Sequence, residues 1–542
     1  MPGDSRLRLL TIYGGRVVTM HPAHTRADAI LLAGGRVHTV GSTADVRAAA
    51  RSLGTGHGEE LHVPGACVLP GLTDAHVHLG AYGLQLQQLD LSGARSLDEV
   101  VALVAARAAL VPSDEWLLGG GWDHTLWPEP RLPNRHALDA VLPNQPVALG
   151  RKDRHITWVN TAALLRAGID WSTPQPAGGV IDREPDGQPS GLVRETAQRL
   201  VEEAIGDPPA DVLEGALTRA QTALLQLGLT CVHAPDTPAT YAALQDIHDA
   251  GELQLRVIFM PPASALEDLA ARRMSAGWGS ERLRLGHLKC FLDGSLGSHT
   301  ASMLSPFEDE PDSTGIVITH PEALVPLLGR AAEAGFGLAM HAIGDRANRQ
   351  ALDAVAAANM QAVNRLLRPR IEHVQLLHQD DIPRLAELGV IASMQPIHTT
   401  QDMANADRYW GARSSGAYAF ASLLRAGTVL AFGSDAPVEA PDPLAGLFAA
   451  VTRQRPSGMP VGGWYPQERI SLAAAVRAYT AGAAAAAGLE HERGSLRPGA
   501  VADVTIIQPD IFGAPPEAML EARVSHTIIA GEVVYAADWA HR

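Results

Sequence analysis

The sequence predicts an α/β protein built on a (β/α)8 barrel, with a smaller β domain formed by both ends of the chain and an insertion after the first barrel strand. Three observations predict it. Short apolar runs alternate with amphipathic helical stretches through the middle of the chain, both ends are rich in strand-like runs around glycine turns, and one long segment interrupts the alternation. Strand and helix repeated in this way are typical of a parallel sheet, and about eight repeats are typical of a closed barrel.

The two ends of the chain share one pattern. Near the start, "LLTIYGGRVVTM" and "AILLAGGRVHTVG" each place a glycine pair between two apolar runs, and "GSLRPGAVADVTIIQPD" and "VSHTIIAGEVVYA" repeat the pattern near the end. Apolar runs around a short glycine turn indicate β-hairpins. The pattern therefore predicts one β-sandwich domain made from residues 1–69 and 486–542.

The middle of the chain, residues 70–485, supplies the barrel. Its strand candidates are "CVLPGLTDAHVHL", "GLTCVHAP", "LQLRVIFM", "LGHLKCFLD", "GFGLAMHAIGD", "PRIEHVQ", "GVIASMQP" and "GTVLAFGSD", and "VLEGALTRAQTALLQLG" is one of the helical stretches between them. A doubly wound open sheet is the alternative, but no GxGxxG follows an early strand.

Residues 95–205 do not fit the repeat. This segment is rich in Trp, Pro, Gly and charge, and it is far longer than the roughly 2–6 residues of an ordinary βα connection. We expect it to be an insertion after the first barrel strand that covers the active site.

The charge and cysteine content exclude some classes of function. The chain has 43 basic and 59 acidic residues, a net charge of −16, which disfavours binding to nucleic acid or an anionic membrane. Its three cysteines, Cys67, Cys231 and Cys290, form no disulfide framework, and no run approaches the roughly 20 apolar residues of a membrane span. The start of the chain lacks a signal-peptide pattern. We expect a cytoplasmic protein that acts on a small molecule; whether it forms a homo-oligomer is left open.

Polar side chains recur where predicted barrel strands end. Side chains two apart in a strand point the same way, so two imidazoles at that spacing can reach one metal ion. A single polar residue at such a position is more often a hydrogen-bonded core residue. Several of them on the barrel face where active sites assemble predict a site for a divalent metal. The set is His76, His78, His341, His373 and Asp435.

Lys289 lies inside an apolar run, where a charged amine is expensive to bury. One alternative is an ion pair with Asp293, four residues on. The other is a neutral amine that adds CO₂ to form a carbamate, an anionic group able to bridge two metals. The residues leave both alternatives open.

The motifs "DAHVHL", "KCFLDGSLGS", "HAIGD", "IEHVQ" and "GSDAPV", in this order, resemble the amidohydrolase superfamily, and within it the YtcJ-like branch that includes N-substituted formamide deformylases. The resemblance implies a metal-bearing barrel with a flanking β-sandwich. It also implies one or two divalent ions, with Zn²⁺ expected first, and Lys289 at the position of a carboxylated bridging lysine favours two. The implied metal ligands are His76, His78, Lys289, His341, His373 and Asp435.

Two motifs depart from the pattern of that branch. "DRHITWVNT" carries Arg154 and Thr161, and His299 stands where the loop after the lysine usually has an arginine. These changes spare the implied ligands, but they put the substrate specificity of any relative in doubt for this chain.

The resemblance implies hydrolysis of a carbon–nitrogen bond other than a peptide bond. Asp435 would take a proton from the attacking water and pass it to the leaving nitrogen, and His341, His299 or His398 would stabilise the developing charge. The residues expected to shape the substrate pocket are Trp122, Asp123, His155, Trp158, His299, His398, Arg413 and Tyr418. The alternative for the tryptophans is the insertion's own core.

Two other functions compete with this one. A metal-dependent esterase or lactonase would use the same metal site, and the residues do not separate it from an amide hydrolase. A non-catalytic scaffold would be expected to lose ligands, whereas every implied ligand position is filled here.

Overall fold

The computed structural model describes residues 8–21, 27–53, 58–124, 127–152, 156–176, 179–358 and 367–541. The chain divides into two compact units: unit 1 comprises residues 1–82 and 217–542, and unit 2 comprises residues 83–216. The predicted insertion, 95–205, falls inside unit 2. Each unit is described by itself below.

The elements follow one another in three segments of the chain. The first contains strands β1 (Leu9–Val17), β2 (Ala27–Ala33), β3 (Arg36–Gly41), β4 (Glu59–His62), β5 (Cys67–Pro70) and β6 (Leu72–Asp74), with helices α1 (Thr43–Ser52) and α2 (Leu79–Gln87). The second contains β7 (Leu89–Asp90), β8 (Leu117–Trp122), β9 (Val147–Arg151), β10 (Ile156–Val159), β11 (Gly179–Arg183) and β12 (Pro189–Glu195), with α3 (Leu97–Ala108), α4 (Arg135–Asp139), α5 (Thr161–Arg166), α6 (Gln198–Ile205) and α7 (Ala210–Gln226).

The third segment is the longest. Its strands are β13 (Leu229–Pro235), β14 (Arg256–Met260), β15 (Leu283–Leu285), β16 (Leu288–Phe291), β17 (Leu338–Ala342), β18 (Arg370–His373), β19 (Ile391–Met394), β20 (Leu430–Phe432), β21 (Val504–Gln508), β22 (Arg523–Ile529) and β23 (Glu532–Ala536). Its helices are α8 (Pro238–Asp249), α9 (Leu266–Ala271), α10 (Pro321–Glu333), α11 (Asp345–Ala357), α12 (Ile382–Glu387), α13 (Pro396–Trp410), α14 (Phe420–Ala426), α15 (Pro443–Thr452), α16 (Leu472–Arg477), α17 (Ala483–Ala486) and α18 (Ala518–Glu521).

Strands from both ends of the chain form one eight-stranded sheet in unit 1. Its order is β23-β22-β21-β5-β1-β2-β3, with β4 also paired to β1. Strand β5 joins the two ends because it pairs with β1 on one side and with β21 on the other. A bulge in β1 between Tyr13 and Val17 lets this strand pair with β4 along its first half and with β5 along its last residues. The described residues therefore form one continuous sheet here rather than the two facing sheets of the predicted sandwich.

The alternating middle of the chain forms two parallel sheets, which confirms the predicted α/β class. One has the order β15-β14-β13-β6 and the other β16-β17-β18-β19-β20, and every pairing in both is parallel. The strands are buried along almost their whole length, as expected for parallel strands covered by helices.

The predicted closed barrel is not seen as one continuous sheet. Between the two parallel sheets the described residues make isolated backbone hydrogen bonds instead of a ladder. Ala75 N donates to Phe432 O at 2.9 Å, beyond the end of β6, and Lys289 N donates to Pro261 O at 2.8 Å, beyond the end of β14. The two sheets do not pair as neighbouring strands here, because the hydrogen-bonded residues lie beyond the ends of β6 and β14.

Unit 2 is built around a mixed sheet of order β11-β12-β10-β9-β8-β7. One face packs on an apolar cluster that includes Trp122, Trp158, Leu149 and Val147. Among the described residues, no helix is long and apolar enough to cross a lipid bilayer. The predicted cytoplasmic location stays a prediction.

Candidate metal centre

The predicted ligands come together at the carboxyl ends of the parallel strands of unit 1. His76 and His78 follow β6, Asp435 follows β20, and His373 is the last residue of β18. Because parallel strands end at the same edge of a sheet, residues far apart in the chain meet there. His341 lies one residue before the end of β17, in register with Glu372 of β18.

Asp435 lies at the centre of this cluster. Its Oδ1 is 3.5 Å from His76 Nε2 and 3.3 Å from His78 Nε2, and its Oδ2 is 3.9 Å from His398 Nε2. Two groups could each hold a metal ion with ligand atoms within 4.8 Å of one another: His76, His78 and Asp435, and His373, His398 and Asp435. The carboxylate is common to both groups, so one ion or a pair could share it.

In three of these imidazoles, a hydrogen bond at one ring nitrogen determines which nitrogen is free to bind a metal. His76 Nδ1 bonds to Glu372 Oε2 at 2.5 Å, His78 Nδ1 to the carbonyl of Pro235 at 2.9 Å, and His373 Nδ1 to Gln395 Oε1 at 2.9 Å. Since these oxygens can only accept, each Nδ1 carries a proton, which leaves Nε2 as the nitrogen that can offer a lone pair. This is the arrangement that orients metal-ligating histidines in proteins.

His341 has the opposite tautomer. Its Nε2 donates to the carbonyl of Gly294 at 3.0 Å, so its lone pair is on Nδ1. The ring centroid lies 4.5 Å from that of His373. His341 therefore borders the cluster but belongs to neither of the two ligand groups, and the catalytic role predicted for it stays a prediction.

The donor set fits a metal ion. Asp435 Oδ1 and His398 Nε2 are buried side-chain atoms without a hydrogen-bond partner in the described part of the chain. A buried polar atom without a partner costs about 1–3 kcal/mol, which a cation bound between these atoms would offset. Imidazole nitrogens and a carboxylate oxygen are the donors that Zn²⁺ and similar ions take.

The backbone at two of these residues is strained. Asp435 has φ +61° and His373 has φ +75°, in the left-handed region that non-glycine residues rarely adopt. Such conformations cost of order 1–3 kcal/mol and persist where the surrounding structure holds them. Asp435 N donates to His76 O at 2.7 Å, which holds the aspartate against the residue after β6.

Close backbone approach at this point requires a glycine. A Cβ at Gly433 would lie 2.5 Å from both Asp74 Oδ1 and the His76 backbone nitrogen. Asp74 accepts from the backbone N–H groups of His76 and Ser434, each at 3.0 Å. Burial raises the pKa of Asp74 to about 7, and the carboxyl ties the end of β6 to the chain after β20.

His76, His341 and His373 are neutral at physiological pH, whereas the pKa of His78 is raised because the hydrogen bond and charge of Asp435 outweigh the effect of burial. Burial, with the charge of Lys289, lowers the pKa of His76 to about 4 and that of His341 to about 3. Burial and His341 hold the pKa of His373 well below its usual range. Burial raises the pKa of Asp435, but the surrounding histidines, His78 first, bring it well below its ordinary value. The site thus offers lone pairs on nitrogen and a charged carboxylate.

Lys289 is buried, and no carboxylate oxygen of the described residues lies within 4.0 Å of its Nζ. Its nearest polar neighbour is His76 Nε2, at 3.5 Å. Asp293, the alternative ion-pair partner, instead accepts from the backbone N–H groups of Ser302, Ile343 and Gly344. The ion-pair alternative is therefore wrong. Burial lowers the pKa of Lys289, although the charges of Glu372 and Asp435 oppose this.

A buried ion pair behind the site was missed in the sequence. Arg370 Nε lies 2.5 Å from Glu372 Oε1, and Arg370 Nη2 also donates to the carbonyl of Ala75 at 2.7 Å. Burial raises the pKa of Glu372, but Arg370 and His76 hold it well below its usual range, so it stays charged beside His76 Nδ1. Two charges inside the apolar run "PRIEHVQ" were the available signal. The other missed residue, Gln395, directly follows β19, where strand-end polar residues should be sought.

Two of the predicted substrate residues, Trp122 and Trp158, lie in the core of unit 2. Both rings are 0% exposed, and their N–H groups donate to the carbonyls of Leu149 and Asn134. Complete burial contradicts a substrate contact and supports the alternative, that they form the insertion's own core. Asp123 lies 3.8 Å from Arg151. His155, with Arg154 beside it, is outside the described residues, so its predicted role stays a prediction.

Three predicted substrate residues of unit 1 are engaged elsewhere in the fold. Arg413 donates to the carbonyls of Ser305, Pro306 and Trp410, and Tyr418 is 0% exposed with its hydroxyl on Asp402 at 2.5 Å. His299 Nε2 lies 3.1 Å from Asp309 Oδ1, and its ring centroid is 4.1 Å from that of Tyr409. The burial of Tyr418 contradicts a substrate contact, and the carbonyl bonds of Arg413 leave its guanidinium a structural role. His398, by contrast, reaches the centre of the site.

Phe291 is an exposed aromatic side chain beside the cluster. The residue is 44% exposed, its ring centroid is 5.0 Å from that of His341, and Lys289 Nζ is 4.9 Å from its centroid. As the last residue of β16, it stands at the same edge of the sheet as the ligand candidates.

Residues 64–535 of the chain match the model of the amidohydrolase family. The chain belongs to this family. The chain is 34% identical over 97% of its length to the protein LONG AFTER FAR-RED 3 of Arabidopsis thaliana, and the match covers 91% of that protein. It is 31% identical over 96% of its length to the putative amidohydrolase YtcJ of Bacillus subtilis (strain 168), covering 98% of it. The predicted YtcJ-like membership is confirmed.

Two further similarities bear on activity. The chain is 28% identical over 98% of its length to the N-substituted formamide deformylase of Arthrobacter pascens, and the match covers 99% of that enzyme. The crystal structure of an uncharacterized metal-dependent hydrolase from Pyrococcus furiosus superposes with a TM-score of 0.78 at 27% identity, covering 94% of this chain and all of that one. Together with the donor set, these findings make the protein a hydrolase with a site for a divalent metal.

Proposed function

We propose that this amidohydrolase cleaves a carbon–nitrogen bond other than a peptide bond in a small amide or N-substituted formamide. The observation that carries the proposal is the convergence of His76, His78, His373 and His398 on Asp435, whose Oδ1 is buried without a hydrogen-bond partner among the described residues. The full-length similarity to an N-substituted formamide deformylase supports the choice of bond.

We also propose that the two parallel sheets are two arcs of one (β/α)8 barrel. Eight parallel strands are available if β15 and β16 are counted as one position, and single backbone hydrogen bonds join the arcs beyond β6 and β14. The arrangement of the site supports this, since ligand candidates at the ends of β6, β18 and β20 converge only if the strands curve around a common axis.

The proposed metal is Zn²⁺, because four imidazoles and a carboxylate suit it. His76, His78 and Asp435 would hold one ion, and His373, His398 and Asp435 a second. Lys289, buried without a carboxylate, would serve as a carbamate between them. When bound, such an ion lowers the pKa of water and polarises a carbonyl group.

The residues of the chain then handle the proton. Asp435 is charged at neutral pH and takes a proton from the attacking water. The same carboxyl delivers this proton to the leaving nitrogen as the carbon–nitrogen bond breaks, giving an amine and a carboxylic acid. The strained backbone of Asp435 and its bond to His76 O hold the carboxyl in one place during both transfers.

The exposed ring of Phe291 supports the proposal that the substrate carries an apolar substituent. An exposed aromatic ring beside a polar cluster can cover an apolar group while the reacting bond lies over the cluster. In this proposal Phe291 takes the role that the sequence suggested for the tryptophans of the insertion.

A substrate panel tests the choice of bond. Purified protein would be assayed for kcat/KM on N-substituted formamides, matched acetamides, and esters and lactones with the same substituents, with metal content measured by mass spectrometry. We expect the highest kcat/KM on the amides, loss of turnover after chelation, and recovery with Zn²⁺. Higher values on esters, or full turnover without metal, would contradict the proposal.

The carbamate has its own test. Metal-free protein would be reconstituted with Zn²⁺ with and without bicarbonate, for the wild type and for Lys289→Met, with Lys152→Met as the exposed-lysine control. We expect bicarbonate to raise the metal content to two ions per chain except in Lys289→Met. Equal metal content in all samples would argue against a bridging carbamate.

A further inference from the structure

A small cavity lies at the other end of the parallel strands of unit 1. Pro70, Gly71 and Thr73, around the start of β6, and Thr230 and Cys231, at the start of β13, line it, whereas the metal-ligand candidates follow the carboxyl ends of the strands. Its volume is about 20 Å³. A cavity of this size holds one particle about as large as a water molecule.

Arg493 lines this cavity with an incompletely bonded guanidinium. The residue is 8% exposed, and its Nε and Nη1 are buried with no hydrogen-bond partner among the described residues. Its Nη2 makes a long bond of 3.4 Å to the carbonyl of Glu281. An arginine cannot lose its charge by deprotonation in a protein. The positive charge therefore stays in the buried site.

The carboxylate at the cavity, Asp503, is already neutralised. Its Oδ2 accepts from Arg256 Nε at 2.8 Å and its Oδ1 from Arg256 Nη2 at 3.1 Å, and Oδ1 also accepts from the backbone of Ala530. Glu281 offers little more, since its side chain is 65% exposed and lies 3.6 Å from Arg256 Nη1.

A third guanidinium adds to the excess of positive charge. Arg284, on β15, has its Nε buried without a partner in the described part of the chain. Its charge acts on Arg493, as does that of Arg256, and with burial both lower the pKa of Arg493. Arg256, Arg284 and Arg493 thus outnumber the one buried carboxylate, Asp503, which bonds to Arg256, and the balance of charge around the cavity is positive.

We infer that this cavity binds a small monovalent anion of the size of chloride, held by the unpaired N–H groups of Arg493. A buried charge without a partner is unfavourable by several kcal/mol in real proteins. An anion removes this penalty, whereas a water molecule fills the space without balancing the charge.

His233 supplies a further donor to the same cavity. Arg370 Nη1 donates to His233 Nδ1 at 2.9 Å, which places the proton of the neutral imidazole on Nε2. His233 is among the lining residues. The carboxylate that lines the cavity, Asp503, is bonded to Arg256 and so does not oppose the anion.

The first experiment uses the wild-type holoenzyme. Its Tm would be measured at constant ionic strength while gluconate is replaced by chloride from 1 to 500 mM. We expect Tm to rise by about 1–3 °C for each tenfold increase in chloride above its dissociation constant, because an anion bound to the folded state stabilises it by mass action. A Tm that does not change with chloride would overturn the inference.

The second experiment locates the ion. Crystals of the wild-type protein soaked in bromide would be measured at the bromine absorption edge. We expect an anomalous peak inside the cavity within about 3.5 Å of the Arg493 guanidinium. A cavity that holds only a water molecule, with no anomalous signal, would show the inference to be wrong even if exposed sites bind bromide.

Variants connect the two results. Arg493→Gln should fold with a Tm that no longer depends on chloride, while Arg425→Gln, a change in an arginine whose side chain is 65% exposed, should keep the wild-type dependence. Chloride dependence that persists unchanged in Arg493→Gln would assign the effect to another site and reject this one. If Arg493→Gln does not fold, the bromide experiment decides.

Discussion

Two pairs of buried nitrogen-bearing rings, one pair in each unit, differ in what surrounds their hydrogen-bonding atoms. In unit 2, Trp122 and Trp158 are fully buried and each indole N–H donates to a backbone carbonyl. In unit 1, His76 and His373 are also buried, and one nitrogen of each ring bonds to a side-chain oxygen, of Glu372 or of Gln395, while both rings belong to the groups around Asp435 that could hold a metal ion. The N–H groups of Trp122 and Trp158 are thus both used within the protein, whereas Asp435 Oδ1 and His398 Nε2, beside the two histidines, have no hydrogen-bond partner among the described residues.

The difference teaches how to separate structural from functional burial. Burial alone does not distinguish the clusters, and neither does their content of aromatic rings. What distinguishes them is whether the hydrogen-bonding capacity of the buried atoms is used within the protein. Four changes, from the largest expected effect to the smallest, test this comparison.

Asp435→Asn should have the largest effect. The amide cannot take a proton from water, so we expect kcat to fall by about 10²–10⁴-fold while the fold is retained. Steady-state kinetics and circular dichroism measure the two quantities. Asp380→Asn, at a carboxylate 72% exposed, is the matched control and should keep wild-type kcat. Near-normal turnover of Asp435→Asn would remove this residue from the chemistry.

Trp122→Ala tests the other cluster. Removing a fully buried indole should lower the free energy of unfolding by about 3–5 kcal/mol, because it leaves a cavity and an unpaired carbonyl at Leu149. Urea unfolding followed by fluorescence measures it. The control is Trp171→Ala in the same unit, where the ring is 69% exposed and the expected change is within about 0.5 kcal/mol.

The metal content of folded Trp122→Ala should equal that of the wild type, since none of the ligand candidates is in unit 2. Loss of metal with retained stability would reverse the roles assigned to the two clusters.

Gln395→Met tests the second partner of a ligand candidate. Methionine fills a similar volume but cannot accept the proton of His373 Nδ1, so the ring loses its fixed orientation. We expect the affinity for Zn²⁺ to fall by about 10–100-fold, measured by competition with a chelating dye. Gln395→Glu, which keeps an acceptor oxygen, should retain most of the affinity. Equal affinities in the three proteins would mean that Gln395 does not position the ligand.

The smallest effect concerns protonation. In the metal-free protein His76 should titrate with a pKa of about 4 and His341 with a pKa of about 3, because burial and Lys289 disfavour the charged imidazole. The unfolded chain binds these protons near pH 6.5. Below that pH the unfolded state therefore holds more protons, and these two groups reduce stability as the pH falls from about 6.5 towards 4.

NMR titration of protein labelled at histidine measures these pKa values, with His76→Asn and His341→Asn assigning the signals. Values near 6.5 for either residue in the folded metal-free protein would show that the cluster is more hydrated than its burial indicates.

The sequence predicted four members of the two candidate groups, His76, His78, His373 and Asp435, because their signal is local, but it assigned His398 to the substrate and added Lys289 and His341. A polar residue at the end of an apolar run can be read from a few letters, and parallel strands bring such ends together whatever their separation in the chain. The pockets around the site could not be read in this way. Trp122 and Tyr418 are residue types that are expected in a substrate pocket, but whether they are buried depends on packing between distant segments.

The sequence by itself determined the α/β class, the family and three of the four histidines that converge on Asp435, and the structure added His398. Only the tertiary structure decided which nitrogen of each histidine is free, that Asp293 binds backbone amides rather than Lys289, and that Glu372 and Gln395 hold two of the ligands. It also decided that the terminal strands form one sheet. The physical reason is range: strand ends are set by neighbours in sequence, whereas hydrogen-bond partners and burial are set by groups that meet only when the chain folds.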